Sequence, residues 1–459
     1  MATAADRPLF EVAKHIPSGV DELLDFASAE GINRIDLKVG DLSGRLRHVS
    51  FPARRLPGAL RDGVGFAGSH YGFSGPVGED MVMVPDPSTA WMDPFLGART
   101  MSFLAQPTRA GTQERFARDP RAVAQRAEAR LVELGFGTES RWLPEFEFYL
   151  LPKGGLAADA GQVVAPFADG YHASPPRDRF SAFRARAVDI FEGAGIEVKY
   201  DHHETGAEGQ MEIELEFGGL VESADAVLLA KYIVRNLASK DGVEAVFLPK
   251  PLAEASGNGL HVHFQVWDGD RPLFAGDRYG GLSDEALSFV AGILVHIRSL
   301  AAFTNPSTNS YRRLVPGYEA PVKVGFATGD RASAVRIPGY AITPEQRRFE
   351  YRPLDATANP YLAFAALLMA GLDGMERALD PYALGFAPLD EDPSAVPPTT
   401  FPRTLAEALD ALEEDDDYLL KDDVFPEVLI GEWLSLKRAE HMKLELEPHP
   451  SELRMYGDI

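Results

Sequence analysis

Polar and apolar residues alternate with a period of two in four separated segments, and that period belongs to β-strands, where residues two apart share a face. In Leu143-Pro144-Glu145-Phe146-Glu147-Phe148-Tyr149, Glu145 and Glu147 point one way and Phe146 and Phe148 the other. Met211-Glu212-Ile213-Glu214-Leu215-Glu216 puts three carboxylates on one face. Leu260-His261-Val262-His263-Phe264 puts two imidazoles on one face, directly after the glycine-rich Ser256-Gly257-Asn258-Gly259. Arg348-Phe349-Glu350-Tyr351-Arg352 groups Arg, Glu and Arg. Four strands with apolar backs and charged fronts predict a sheet packed against helices on one side. The other side is then a wide, charged cleft.

Elsewhere the pattern is more ordinary. The first hundred residues read as short strands and turns: a strand over Ile32–Val39, a turn over Gly40–Gly44 and a return strand over Arg45–Phe51. Helical spacing begins at Pro120–Gly135, with Val123, Ala127, Leu131 and Leu134 in phase. Further helices are predicted at Phe180–Ala194, Ser223–Ser239, Ser283–Phe303, Pro360–Leu379 and Leu405–Glu414. The change of texture places a domain boundary near residue 112. The acidic run Glu413–Asp417 reads as a solvated helix end or loop, and Pro448–Ile459 as an extended tail or docking arm.

Composition narrows the chemistry. The chain has 459 residues, 45% hydrophobic and 25% charged, which is globular composition. Its net charge of −24 lacks the clustered positive charge that nucleic-acid binding needs. There are no cysteines, so thiolate nucleophiles, disulfides and cysteine-held metals are all removed. Met1–Ile16 has no signal-peptide core, and the longest apolar stretch, Tyr361–Leu372, falls short of the ~20 residues of a membrane span. The expectation is a cytoplasmic protein that binds neither membrane nor nucleic acid.

Stranded carboxylates repel one another unless a cation sits among them. Glu and His without Cys suit Mg²⁺ or Mn²⁺. Arginines beside them suit carboxylate or phosphate through paired hydrogen bonds. Metal ions and arginines in one cleft are what phosphoryl transfer needs. No Gly-x-x-x-x-Gly-Lys is present, so the phosphate grip is not a P-loop.

These segments, in this order, resemble the glutamine synthetase family over nearly the whole chain. The likeness rests on Asp62-Gly63-Val64-Gly65-Phe66 with Met83-Val84-Pro85-Asp86-Pro87-Ser88-Thr89; on Pro144-Glu145-Phe146-Glu147-Phe148; and on His202-His203-Glu204 through Gly209-Gln210-Met211-Glu212. It continues through Gly257-Asn258-Gly259-Leu260-His261-Val262-His263, the run Asn305-Pro306-Ser307-Thr308-Asn309-Ser310-Tyr311-Arg312-Arg313-Leu314-Val315-Pro316-Gly317-Tyr318-Glu319-Ala320-Pro321, and Arg348-Phe349-Glu350-Tyr351-Arg352. The resemblance implies an α+β fold: a small N-terminal β-grasp domain over residues 1–112, and a catalytic domain over 113–459 whose antiparallel strands form a funnel. It also implies a dodecamer of two hexameric rings. In that assembly the N-terminal domain of one subunit closes the funnel of the next, and the C-terminal tail reaches into the opposite ring.

The resemblance further implies ATP and two or more Mg²⁺ or Mn²⁺ ions per site, with glutamate and a small amine as partners. Glu147, Glu204 and Glu212 match the ligands of the metal that holds glutamate and phosphate. Glu145, His261 and Glu350 match those of the metal on the ATP phosphates. Arg313 and Arg352 match arginines around the substrate carboxylate and transferred phosphate, and Arg331, Arg336 and Arg348 those on the phosphates. Gly257 and Gly259 stand where the main chain approaches glutamate, and His263 near the nucleotide phosphates. Glu319 matches the flap glutamate that helps take a proton from the attacking amine. The implied chemistry phosphorylates the γ-carboxylate of glutamate and then displaces phosphate with an amine. All six metal positions hold a suitable ligand, which weighs against a catalytically dead scaffold.

One departure bears on the amine. Ammonia-using members continue after the Asp62–Phe66 motif with Asp-Gly-Ser, whose aspartate helps bind ammonium and remove its proton. Here the segment reads Phe66-Ala67-Gly68-Ser69-His70-Tyr71-Gly72. Ala67 offers neither charge nor base, and His70 and Tyr71 add aromatic surface suited to an alkyl or aryl ammonium group. The expectation is a γ-glutamyl ligase for an amine larger than ammonia. The alternative is a glutamine synthetase that uses ammonia with Glu319 alone as base. A second departure concerns regulation: some bacterial members carry an adenylylated tyrosine in a loop before the last helices, whereas the corresponding stretch here, Ala383 to Lys421, has only Tyr418, beyond that loop near the acidic run, so no adenylylation is expected.

Overall fold

The structure, a computed structural model, describes residues 16–73, 80–97, 99–154, 170–206, 209–391 and 396–457. The N-terminal reading of Met1–Ile16 therefore lies, apart from Ile16, outside the described residues.

The first sheet has six strands: β1 (Arg34–Gly40), β2 (Leu46–Pro52), β3 (Val64–Ala67), β4 (Asp80–Pro85), β5 (Trp91–Asp93) and β6 (Thr100–Arg109). They run in the order β2-β1-β6-β4-β3, with β5 paired to β6 and the β1/β6 pair parallel. The chain here is not strands and turns alone. Helix α1 (Val20–Ala29) buries Leu23 and Ala27, four apart on one face, and α2 (Leu56–Asp62) buries Leu56 and Ala59.

The second sheet has nine strands: β7 (Glu139–Pro152), β8 (Val198–His203), β9 (Gln210–Leu215), β10 (Val243–Val246), β11 (Leu260–Asp268), β12 (Arg271–Pro272), β13 (Lys323–Ala327), β14 (Ser333–Arg336) and β15 (Phe349–Tyr351). The main path is β13-β14-β15-β11-β7-β9-β8, so the four alternating segments are consecutive neighbours, in the order β15, β11, β7, β9. The sheet is antiparallel except for the pair β13/β14, which is parallel.

The remaining described helices are α3 (Pro120–Glu133), α4 (Ser181–Gly193), α5 (Leu220–Lys240), α6 (Asp284–Val295), α7 (Ile297–Thr304), α8 (Ser310–Arg313), α9 (Pro360–Glu376), α10 (Leu405–Glu414), α11 (Asp417–Leu420), α12 (Glu427–Glu445) and α13 (Pro450–Tyr456), and α3, α4, α5 and α9 pack on the second sheet. Trp142 of β7 stacks between Phe264 of β11 and Phe364 of α9, at centroid distances of 5.1 and 5.2 Å. Phe146 and Phe148 pack against Phe247, with Phe191 and Phe183 of α4 beside them. The apolar run Tyr361–Leu372 is the buried core of α9. No single described helix is long and apolar enough to cross a membrane.

Three expectations about elements change. Ser283–Phe303 is two helices, not one: the axis bends by 75° between α6 and α7, at His296. The His296 ring there reaches Asp373 at 2.9 Å and Asp415 at 2.9 Å, contacts a straight helix would not align. The acidic run is accordingly not all solvated, because Asp415 also accepts from Ser299. The tail segment after Pro448 contains helix α13 rather than extended chain.

The two sheets are locked by the hairpin turn between β1 and β2. Asn359, the N-cap of α9, donates to the carbonyls of Asp41 and Leu42 at 3.1 and 3.2 Å. Gly44 closes the turn with φ of +77°, and a Cβ there would stand 2.9 Å from Asn359 Cα, so a side chain would push the two parts apart.

Candidate active site

Register turns four strand faces into one surface. Glu145 of β7 lies between His261 of β11 and Glu214 of β9, and Glu147 lies opposite Glu212. His263 lies opposite Glu350 of β15, and Glu350 opposite Arg336 of β14. Arg352 follows β15 on the same face, and its guanidinium pairs with Glu350. Arg336 pairs with the other Glu350 oxygen at 2.6 Å. Glu216 does not join this surface: β9 ends at Leu215, and Glu216 is exposed.

The glycines admit the arginine. A Cβ on Gly257 would fall 2.7 Å from Arg313 Cγ, and one on Gly259 would fall 2.7 Å from Arg313 Nη2 and 2.5 Å from His261 Nε2. Arg313, at the end of α8, therefore reaches the sheet only because both positions lack a side chain. It donates to the Pro353 carbonyl at 2.9 Å and the Arg352 carbonyl at 3.1 Å. It also reaches His261 Nε2 at 3.2 Å. Arginine only donates, so Nε2 accepts here, which leaves Nδ1 facing Glu145 Oε1 2.9 Å away.

The electrostatics of this surface are divided. Burial pushes Glu212 well above the usual carboxylate range, and Glu145, Glu147 and Glu204 add to the effect. Burial likewise raises Glu147, against the pull of His261. Burial also acts to raise Glu145, but hydrogen bonds with His261 and His263 outweigh it and hold Glu145 well below its ordinary value. Glu350 is lowered to about 2, because Arg352 overcomes the cost of burial.

Oxygens of Glu145, Glu147 and Glu212 lie within 4.8 Å of one another. Ligand atoms of Glu145, His261 and Glu350 form a second such group, and those of His202, Glu204 and Glu212 a third. A fourth joins Glu145, Glu214 and His263. Buried carboxylates this close carry a repulsion that a divalent cation relieves, and Glu214 Oε2 is buried with no hydrogen-bond partner among the described residues. The donor set of carboxylates and imidazoles fits Mg²⁺ or Mn²⁺. A bound ion there would neutralise phosphate charge and polarise the transferring group. Glu147 and Glu204 fall in different groups, with Glu212 common to both.

Two adjoining cavities open on the surface. One, of about 250 Å³, is lined by Glu145, Glu147, Glu204, Glu212, Gly257, His261, Arg313, Glu319, Arg331 and Arg352. The other, of about 700 Å³, is lined by Glu145, Glu204, Glu212, His263, Arg331, Arg336, Glu350 and Arg352, with Tyr171, Tyr200, His202 and Tyr340. Glu319 sits on an exposed loop where Gly317, Tyr318 and Glu319 all have positive φ, at +99°, +53° and +55°. Two non-glycine residues in that region store backbone strain. Glu319 is 3.3 Å from Arg331.

Five residues singled out in the sequence line neither cavity. Gly259 acts from behind, its N–H donating to Glu147 Oε2 at 2.8 Å. Arg348 lies between the Phe217 and Tyr340 rings and reaches His263 Nδ1 at 3.4 Å, so it positions the imidazole. Ala67 ends β3 and His70 and Tyr71 lie in the 3-10 turn after it, Gly68–Tyr71, and none lines either cavity of the same chain. Ala67 and His70 are exposed, and the half-buried Tyr71 packs its ring on Phe66 at 4.8 Å and Phe73 at 5.9 Å. Gln210 was missed and is central. Its amide donates to Glu147 at 3.1 Å, the Gly257 carbonyl at 3.0 Å and Asn258 at 3.1 Å. Its place at the start of β9, in phase with Glu212 and Glu214, was the available signal.

Comparison with known proteins settles the relationship. The glutamine synthetase catalytic-domain model matches residues 117–456, and the glutamine synthetase beta-Grasp domain model matches residues 31–108. The chain belongs to the glutamine synthetase family. It is 40% identical to a glutamine synthetase of Aquifex aeolicus, over 96% of this chain and 99% of the relative. It is 39% identical to one of Streptomyces coelicolor, over 96% and 99%. A solved complex of GmaS with ADP superposes with a TM-score of 0.84 at 27% identity, covering 96% of this chain and 100% of that one. The Plasmodium falciparum glutamine synthetase shares the fold, with a TM-score of 0.86 at 22% identity over 97% and 100%. As a family member the chain is an ATP-dependent carbon–nitrogen ligase.

Proposed function

We propose that the protein joins the γ-carboxylate of glutamate to an amine other than ammonia, through a γ-glutamyl phosphate. Glu145, His261 and Glu350 would hold one divalent ion, and Glu147 and Glu204, each grouped with Glu212, would hold a second together with it. Arg313 would receive the glutamate carboxylate, and Arg331, Arg336 and Arg352 the phosphates. These fixed positive groups stabilise charge on a transferring phosphoryl group without reorganising. Glu319 would take the amine proton when its loop covers the smaller cavity, excluding water that would hydrolyse the acyl phosphate. The similarity to GmaS, solved in complex with ADP, supports nucleotide binding, and the larger cavity offers Arg331, Arg336 and Arg352 to its phosphates.

Ala67 carries the choice of amine. It puts a methyl group where an ammonium site calls for a carboxylate. Since Ala67 faces away from its own funnel, the reading includes a ring assembly, two hexamers in a dodecamer, in which one copy's first sheet closes the next copy's funnel. The ammonia reading also has support, because relatives at 37–40% identity are named glutamine synthetase. The deciding experiment measures phosphate release from ATP, glutamate and Mg²⁺ with ammonium, ethanolamine, putrescine, spermidine, isopropylamine or aniline, with products identified by mass. Turnover with one amine and little with ammonium is expected. Strong turnover with ammonium alone would overturn the reading.

A further inference from the structure

The chain carries 24 more negative than positive charges, yet one cavity gathers cations. It measures about 680 Å³ and shares no residue with the two funnel cavities. Its walls come from the β1/β2 turn, α5, β10, the Ala356-Thr357 segment and α12. Arg45, Lys231, Arg235 and Lys437 line it, with Glu244 and Glu440. Glu440 is already taken, since it accepts from Lys437 at 2.9 Å.

Lys231 and Arg235 are one helical turn apart on α5, and so lie on the same face. Lys231 is buried, and its ammonium donates to the Ala356 carbonyl at 2.6 Å. No carboxylate among the described residues forms an ion pair with Arg45, Lys231 or Arg235. Arg235 instead lies over the Phe247 ring at 5.1 Å. Burial lowers Lys231 from its ordinary value to about 7; Arg235 repulsion adds to this and Asp355 offsets part of it. Two neighbouring cations without a counter-ion, one of them buried, are costly unless an anion completes the arrangement. The apolar wall, with Leu228 and Phe247, leaves room for a carbon skeleton beyond the charged head.

We propose that this cavity binds a small organic dianion, a phosphate monoester or a dicarboxylate, with Lys231 and Arg235 gripping its oxygens and Arg45 at the mouth. Bound there, the ligand would bridge the first sheet's hairpin turn, α5 and α12. The proposal is independent of the choice of amine.

The test is calorimetric titration of the full-length, assembled protein with inorganic phosphate and, separately, with succinate. Arg235→Gln is the main variant, because Arg235 is exposed and its loss spares the core. At least one probe should bind at one site per chain, and Arg235→Gln should weaken that site about tenfold. At about pH 8, binding should take up a proton in the wild type, read from buffers of different ionisation enthalpy, and Lys231→Met should abolish the uptake. The probe that binds tells phosphate from dicarboxylate. Equal affinity in wild type and Arg235→Gln would place the binding in the funnel and overturn the proposal. So would no binding of either probe, as when a neighbouring copy fills the cavity.

Discussion

The Lys250 ammonium lies 4.0 Å from the centroid of the Tyr318 ring, joining the strained Gly317–Glu319 loop to the glycine-rich loop beside the sheet. Lys250 is itself well held. Its N–H donates to Asn309 Oδ1 at 2.7 Å, Asn309 Nδ2 donates to its carbonyl at 3.1 Å, and its Nζ donates to the Ala255 carbonyl at 2.5 Å. A cation over a ring is worth about 1 kcal/mol, enough to shift loop closure about fivefold. Lys250→Met should therefore raise phosphate release per amide formed by about that factor, as water reaches the acyl phosphate. An unchanged ratio would show that the contact does not hold the loop.

Ala67→Asp should restore a carboxylate where the chain has a methyl group. The expected outcome is a gain of about tenfold or more in kcat/KM for ammonium, measured as glutamine formed. No gain would count against the role given to this position.

Glu212→Gln should move stability and activity in opposite directions. Glu212 is buried among Glu145, Glu147 and Glu204, which disfavour its charge. Removing that charge should stabilise the metal-free protein by about 1 kcal/mol while lowering turnover a hundredfold or more. Thermal melts in chelator and a product assay in Mg²⁺ check the two halves.

Mg²⁺ or Mn²⁺ should raise the melting temperature, and chelator should reverse the gain. An ion at about a hundred times its Kd adds about 2.7 kcal/mol. Neither binding nor stabilisation would indicate a scaffold that has lost its chemistry.

His296 should make stability fall as pH rises. Burial acts to lower its pKa, but hydrogen bonds to Asp373 and Asp415 outweigh that and raise it above 6.5. A raised imidazole contributes fully below its ordinary value and loses the contribution as pH climbs through the raised one. The ring stacks on Tyr418 at 4.0 Å, and Asp373 also pairs with Arg377 and Lys421. Denaturant melts from about pH 6 to about pH 9 should show the loss in the wild type, and His296→Asn should flatten it. Tyr418 is itself buried, at 1% exposure.

The sequence by itself determined which face of each strand is charged. Alternation is local, so the split of Glu145 and Glu147 from Phe146 and Phe148 was legible without knowing their neighbours. The same local logic marked α3, α9 and α10, with Asp119, Asn359 and Thr404 capping them. Only the tertiary structure decided which charged faces meet. Register set Glu145 against His261, 116 residues away, and Glu147 against Glu212, and no local pattern encodes a pairing that distant. The break at His296 escaped for the same reason, since its partners Asp373 and Asp415 lie 77 and 119 residues away. The packing of the half-buried Tyr71 ring on Phe66 and Phe73 was also a matter of tertiary structure, because apolar contact there replaces contact with water.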